Sequence, residues 1–218
     1  MSSAPDASAD SVVTGRAPAV ATRKRPKPGE RRVQILQVLA EMLQQPGAER
    51  VTTAALAARL AVSEAALYRH FASKAQMFEA LIDFIESSVF GLINQIGERE
   101  PAGRARAASI VAMVLQFGEK NPGMARVMVG DALVFEHERL QQRMNQFFDK
   151  LDAALRQSLR DGALADAAEP ATLTPDADAR VRASVLTAFV AGRLQRFARS
   201  GFRRAPSEQL GACIARML

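Results

Sequence analysis

Apolar residues recur every three or four positions along most of the chain, and no stretch alternates apolar with polar residues. This spacing predicts amphipathic helices and no strands, so we expect an all-α protein. Proline and glycine residues interrupt the pattern and are expected to end helices. The expected helices cover about residues 30–45, 51–60 and 63–71, a long stretch from Ser73, a fifth that stops near Asn121, then about 124–136, 137–160, 176–200 and a last one after Pro206, with a loop over 161–175.

Two of the later helices carry continuous apolar stripes. In the helix over 137–160 the stripe is typical of a short coiled-coil seam and equally of an ordinary bundle helix. In the helix over 176–200 it favours a homodimer built from the last two helices, about residues 176–218. The two stripes are Leu140, Met144, Phe147, Leu151, Leu155 and Leu159, and Val181, Val185, Leu186, Phe189, Val190 and Leu194.

The positive charge is concentrated in the N-terminal third. The net charge is +6, and residues 16–74 hold eleven lysines or arginines against four glutamates. A basic end on a near-neutral body indicates a polyanion partner, either nucleic acid or an anionic membrane surface, although a solubilising tail has the same composition. We expect residues 1–28 to form a disordered basic arm that follows phosphates, enters a minor groove, or is simply solvated.

Several classes of protein do not fit the composition. The single cysteine, Cys213, excludes a disulfide framework and favours a reducing compartment, and no stretch of 18 apolar residues or signal-peptide core is present. With only His70 and His137 besides that cysteine, we expect no metal site and no cofactor. No catalytic constellation occurs either, so we expect a cytosolic protein that is not an enzyme and has no membrane span.

The informative segment lies at residues 52–74. Two short helices separated by two or three residues predict a helix-turn-helix, with Ala57 small enough for a close crossing. Ser63 is expected to cap the second of them. Leu56, Leu60, Val62 and Leu67 are expected to form the small shared core, and Glu64, Ala65, Tyr68 and Arg69 to face a major groove.

This segment resembles the TetR family, whose pattern is T-x-x-x-[small]-x-x-x-G-V-S-x-x-x-L-Y-x-H-F-x-x-K. The matching residues are Thr53, Ala57, Val62, Ser63, Leu67, Tyr68, His70, Phe71 and Lys74. Ala61 stands where the family usually has glycine, at a cost on the order of 1 kcal/mol if the turn needs a positive φ. The resemblance implies phosphate contacts from Thr52, Thr53, Tyr68 and Lys74, a packed or phosphate-facing His70, and base reading by Ser63, Glu64, Ala65, Ala66 and Arg69.

The segments SEAALYRHF, FGEKNPG, LVFEHERLQQRMNQFF and LRQSLR resemble the nucleoid occlusion factors of this family, over about residues 31–160. This resemblance implies a nucleoid-associated homodimer that binds palindromic chromosomal sites in double-stranded DNA and, when DNA-bound, antagonises assembly of the division protein FtsZ. By position, the partner surface would contain Phe84, Leu92, Met113, Gln116, Lys120 and Asn121. Leu92 and Gln116 depart from the arginine and glycine that the family places there, and core packing is the alternative role for Phe84.

The resemblance also implies a division of the chain into three parts. Residues 1–28 would be the basic arm, 29–89 the DNA-binding domain, and 90–218 a helical domain for dimerisation and partner binding. A conventional TetR-like repressor, released from its operator by a small ligand in the body, is the second hypothesis.

Overall fold

The computed structural model describes residues 29–45, 50–165 and 174–218. Its helices are α1 (Glu30–Leu43), α2 (Thr53–Arg59), α3 (Glu64–Tyr68), α4 (Lys74–Arg99), α5 (Arg104–Lys120), α6 (Pro122–Met128), a 3₁₀ turn (Asp131–Leu133), α7 (Glu138–Ala165), α8 (Pro175–Arg199) and α9 (Leu210–Met217). Within these three ranges there is no strand, and the all-α prediction is confirmed. The expected arm over 1–28 lies outside the described residues, as do Pro46 and Gly47, which were expected to end the first helix.

Two predicted boundaries were wrong. The piece expected over 124–136 is divided at Gly130, whose φ of 82° is left-handed, so that α6 ends before the 3₁₀ turn begins. A loop was expected from residue 161, but α7 continues through Gly162 to Ala165. A methyl group on Gly162 would lie 2.1 Å from the Cα atom of Gly103, so glycine permits a close contact there.

The start of α8 also differs from the expected loop. Pro175 is the first residue of the helix, where its missing N–H is not needed. The hydroxyl of Thr174 accepts a hydrogen bond from the backbone N–H of Ala177 at 3.3 Å and caps the helix. A proline that the sequence pattern assigns to a loop therefore begins a helix.

The body is built around α7 and α8, which are consecutive in the chain and pack antiparallel along most of their length. All six apolar stripe residues of α7 are buried in the core that α7 forms with the other helices of the body. The stripe is therefore that of a bundle helix within one chain. In α8, Leu186, Val190 and Leu194 are buried in the same core, whereas Val181 and Val185 remain exposed.

The head consists of α1, α2 and α3, and its connections to the body include the following two. In the first, α6 lies against the end of α1, where Arg126 donates a hydrogen bond to the carbonyl of Leu43 at 3.3 Å. In the second, α4 continues from the head along the body, so the expected boundary between residues 89 and 90 falls inside one continuous helix.

Ion pairs join α4 to α7. Arg139 pairs with Glu79 at 2.6 Å, and Arg143 bridges Asp83 and Glu86 at 2.5 Å each. The partners advance together along both helices, so α4 and α7 run side by side in the same direction. Partial burial lowers the pKa of Arg143, but the hydrogen bonds and charges of the two carboxylates outweigh it and leave that pKa raised.

Candidate nucleic-acid interface

Side-chain caps define the two short helices of the head. The hydroxyl of Thr52 accepts a hydrogen bond from the N–H of Ala55 at 3.2 Å at the start of α2. Ser63 does the same for the N–H of Ala66 at 3.3 Å at the start of α3, as the sequence predicted. Each cap satisfies a backbone donor that a helix start leaves free, and so fixes where α2 and α3 begin.

The turn between these helices is left-handed at Ala61, whose φ is 53°. The N–H of Val62 donates to the carbonyl of Ala57, and that of Ala61 to the carbonyl of Ala58, both at 3.0 Å. These bonds form a Schellman motif, in which glycine is the favoured residue at the position held by Ala61. The turn therefore does need a positive φ at position 61, and alanine there lowers the stability of the fold by an amount on the order of 1 kcal/mol.

The expected core of the head is largely confirmed. Leu56, Ala57, Leu60 and Leu67 are buried, whereas Val62 is only half-buried. The small Ala57 is buried, and its carbonyl accepts the hydrogen bond from Val62 that closes the turn between α2 and α3. The core therefore fixes which face of α3 points away from the protein.

That outer face exposes Glu64, Ala65, Tyr68 and Arg69. The side chain of Tyr68 is 46% exposed, so packing does not explain a tyrosine at this position. A short helix with one buried and one open face has the form of an element that enters a major groove.

Two residues of the predicted interface contact each other. The hydroxyl of Thr53 donates a hydrogen bond to the carboxylate of Glu64 at 2.6 Å, linking the start of α2 to the start of α3. Ala66 and His70 are half-buried, and the carbonyl of His70 accepts a hydrogen bond from Arg32. The guanidinium group of Arg32 also lies 4.1 Å from the centre of the Phe71 ring.

Lys74 lies at the first position of α4 and pairs with Glu136, which precedes α7. Neither Glu136 nor Arg32 was predicted as a residue that positions the interface. Their partners are 62 and 38 positions away in the chain, and no local pattern reports a contact at that separation.

A second exposed surface lies on α4 and α5. Phe84 is 50% exposed and Leu92 38% exposed, so burial in the core of this chain is not the role of Phe84. Gln116 and Lys120 are exposed on α5, and Met113 is half-buried. Because α4 and α5 are joined by a short turn and run antiparallel, Phe84 lies near the level of Lys120 and Leu92 near the level of Met113. Asn121, at the end of α5, is half-buried and donates to the carbonyl of Phe117 at 2.8 Å.

Two parts of the chain match known protein families. The family described as bacterial regulatory proteins, tetR family, matches residues 35–81. The SlmA-like family described as Tetracyclin repressor-like, C-terminal domain, matches residues 103–215. This chain belongs to the TetR family, with a C-terminal domain of the SlmA-like type.

Relatives of known name give the same assignment within the TetR family. The chain is 48% identical to the nucleoid occlusion factor SlmA of Cronobacter sakazakii over 183 residues, covering 84% of this chain and 90% of that protein. It is 44% identical to the protein of the same name from Idiomarina loihiensis over 182 residues, with the same coverage of both chains.

Solved structures of transcriptional regulators share the fold at low identity. FadR of Bacillus subtilis, solved with stearoyl-CoA, has a TM-score of 0.65 at 14% identity and covers 85% of this chain and 96% of its own. A TetR/AcrR regulator of Thermobifida fusca has a TM-score of 0.62 at 15% identity, with 86% and 96% coverage. At such identities these structures support the architecture alone.

No helix among the described residues is long and apolar enough to cross a membrane. In the same ranges, no group of three or more histidine, cysteine, aspartate or glutamate side chains is arranged to hold a metal ion.

Proposed function

We propose that this protein is a nucleoid occlusion factor: a homodimeric, cytoplasmic, nucleoid-associated protein without catalytic activity that binds palindromic sites in double-stranded DNA. When bound to DNA, it engages FtsZ and antagonises ring assembly over the nucleoid. The observation that carries the proposal is the exposed outer face of α3 on a helix-turn-helix head, in a chain 48% identical to a protein named for nucleoid occlusion.

The head has two kinds of contact to DNA in this proposal. Tyr68, Lys74, His70 and the two threonines that begin α2, Thr52 and Thr53, hold phosphates and set the register of the head. Ser63, Glu64, Ala65, Ala66 and Arg69 face the bases, and Arg69 is suited to a bidentate contact with guanine. The capping hydroxyls of Thr52 and Ser63 accept from the backbone and still have a proton to donate to DNA.

The dimer is formed by α8 and α9. Val181 and Val185 are exposed on α8, and they belong to a face that is not covered by the chain's own bundle. On α9, Leu210, Ile214 and Met217 are only half-buried. A second copy on this face would bury both sets of apolar side chains, which favours association.

In this proposal the surface of α4 and α5 binds FtsZ. An apolar strip with a cation at one end, from Leu92 through Phe84 to Lys120, suits a short peptide that carries apolar side chains and a carboxylate. Leu92 replaces a charge with an apolar side chain, so we expect this protein to depend more on apolar contacts with its partner.

DNA sites across the chromosome are first mapped by immunoprecipitation of the protein. The protein is then mixed with purified FtsZ and GTP, with and without a duplex that carries a mapped site. Polymers are measured by co-sedimentation. We expect many sites and a loss of sedimented FtsZ that requires both protein and duplex. Phe84→Ala should abolish this loss, whereas Phe135→Ala, at an exposed phenylalanine outside α4 and α5, should not.

The outcomes separate the two candidate functions. No effect of the DNA-bound protein on FtsZ, together with one or two sites beside its own gene, would replace this proposal with a ligand-released repressor. Equal loss of activity in Phe84→Ala and Phe135→Ala would remove the α4 and α5 surface from the proposal.

A further inference from the structure

The exposed face of α8 has oppositely charged grooves on its two sides. The first groove, of about 510 Å³, lies between α8 and the residues that lead into α9, and it contains Arg193, Arg196 and Glu208. The second, also of about 510 Å³, lies between α7 and α8 and contains Asp149, Asp152 and Arg156. We name them the arginine groove and the aspartate groove. Ala188 lines both, so the grooves meet along the face of α8.

The charges in the two grooves lack ion-pair partners within the described residues. Arg193 and Arg196 pair with no carboxylate, and Asp149 pairs with no cation. Arg193 is nevertheless held in place, because its guanidinium lies 4.9 Å from the centre of the Phe189 ring and donates to the sulfur of Cys213 at 3.2 Å.

The face between the grooves is built for a close approach. Val181 and Val185 are exposed, and Gly192 leaves open space where a side chain would stand. An apolar stripe with unpaired charges of opposite sign on its two sides can be complementary to the same surface of a second copy.

The direction of the two-fold axis decides which grooves meet. If the axis runs along α8, the left side of one copy faces the right side of the other at the same height, so the arginine groove meets the aspartate groove. If the axis runs across α8, each groove of one copy meets the same groove of the second copy, and like charges oppose one another. Only the first arrangement is electrostatically favourable.

The heights along α8 match for one pair of residues. Thr187 donates to Asp152 at 3.4 Å, which sets the level of α7 against α8. Because the helices are antiparallel and rise about 1.5 Å per residue, Asp149 lies about 4.5 Å closer to the head than Thr187, and Arg193 about 9 Å closer. Asp149 and Arg193 therefore differ in height along α8 by about 4.5 Å, which is within the reach of an arginine side chain. Arg156 lies in the opposite direction from Thr187 and is not level with Arg193.

We propose that Asp149 of each copy pairs with Arg193 of the second copy, and that this exchange selects the parallel dimer. The proposal rests on the dimer of the proposed function and adds α7 to its interface. The C-terminal end of α8 lies at the head end of the body, where Leu194 packs beneath Gly118 and α6 lies on α1. Parallel pairing therefore places both heads at the same end, as two half-sites of one palindrome require.

The test measures dimer dissociation constants of the full chain by analytical ultracentrifugation. We expect Arg193→Glu and Asp149→Arg each to weaken the dimer by about tenfold or more, since each places like charges opposite one another. The double variant, with both changes in one chain, should return to within about threefold of the wild type, because both pairs are restored with reversed sign. Arg104→Glu, the same charge change at an exposed position on α5, should leave the constant unchanged.

The results test the pairing of Asp149 with Arg193 separately from the dimer itself. Single variants that dimerise as the wild type does, or a double variant weaker than both, would overturn the pairing while leaving the dimer intact. A wild-type monomer at micromolar concentration would instead overturn the dimer of the proposed function. The helical content of each variant is measured in parallel to show that it folds. If a charge-reversal variant does not fold, Asp149→Asn replaces it. A weaker dimer of Asp149→Asn supports the pairing, and an unchanged dimer opposes it.

Discussion

The ammonium group of Lys74 pairs with the carboxylate of Glu136 at the junction of head and body. Lys74 begins α4, directly after the helix-turn-helix, and Glu136 lies between the 3₁₀ turn and α7. The lysine nitrogen also lies 5.7 Å from the centre of the Phe78 ring. If Lys74 holds a phosphate, the DNA has to share this cation with Glu136 or take it from Glu136.

We therefore expect Glu136→Gln to strengthen binding to all duplexes by several-fold, corresponding to about 1 kcal/mol for a partly exposed pair. The reason is that glutamine removes the competing charge while keeping the shape of the side chain. Fluorescence anisotropy with a site duplex and a scrambled duplex at several salt concentrations measures the effect. Glu79→Gln, which breaks the neighbouring pair with Arg139, is the control. Weaker binding by Glu136→Gln would mean that Glu136 positions Lys74 for DNA.

Tyr68→Phe should reduce affinity for every DNA sequence by about fivefold to tenfold, because it removes one hydroxyl that donates to a phosphate. Since the side chain is exposed and makes no hydrogen bond in the described residues, the melting temperature should stay the same. Titration of both duplexes, together with thermal denaturation, checks the two parts. A change in sequence preference without a change in overall affinity would contradict a phosphate contact.

Arg69→Ala should act on sequence preference. We expect it to relax discrimination at one base position per half-site, by roughly 1–3 kcal/mol if the contact is bidentate. Binding to a library of duplexes, each with a single substitution, identifies that position. A uniform loss across the library would assign Arg69 to the phosphates.

Ala61→Gly should stabilise the protein by about 1 kcal/mol, because glycine adopts the left-handed conformation at position 61 without a Cβ clash. Ala58→Gly, in the helical part of α2 three residues earlier, should destabilise it by a similar amount. Urea denaturation followed by circular dichroism measures both. Destabilisation by Ala61→Gly would show that chain entropy in the unfolded state outweighs the relief of strain.

Gly123→Ala should strongly destabilise the contact between head and body, by about 3 kcal/mol or more. A methyl group there would lie 2.0 Å from the carbonyl oxygen of Ala40 in α1, and backbone cannot move aside easily. Gly97→Ala is the control, since its methyl group enters open space inside α4 and should stabilise by up to about 1 kcal/mol. The same denaturation experiment compares the two, and equal stability of both variants would contradict the close contact.

The sequence by itself determined the local structure of the head. The cap at Ser63, the small Ala57 and the turn around Ala61 follow from residues within a few positions of one another, because capping and turn formation are short-range interactions. The alternation of buried and exposed positions on α3 follows from helical periodicity in the same way. The family and the exposed face that it presents to DNA were therefore predictable from one stretch of the chain.

Only the tertiary structure decided which charges meet and which apolar residues stay uncovered. The pairing of Lys74 with Glu136 and the contact of Arg32 with His70 and Phe71 join distant parts of the chain. The apolar stripe of α8 looks continuous in sequence, yet Leu186 is buried and Val185 exposed, because a helix surrounded on one side buries only that side. Gly162 lies inside α7, where its missing side chain leaves room for the backbone of Gly103. Such outcomes depend on how whole helices pack, and helical periodicity fixes only the direction of each side chain on its own helix.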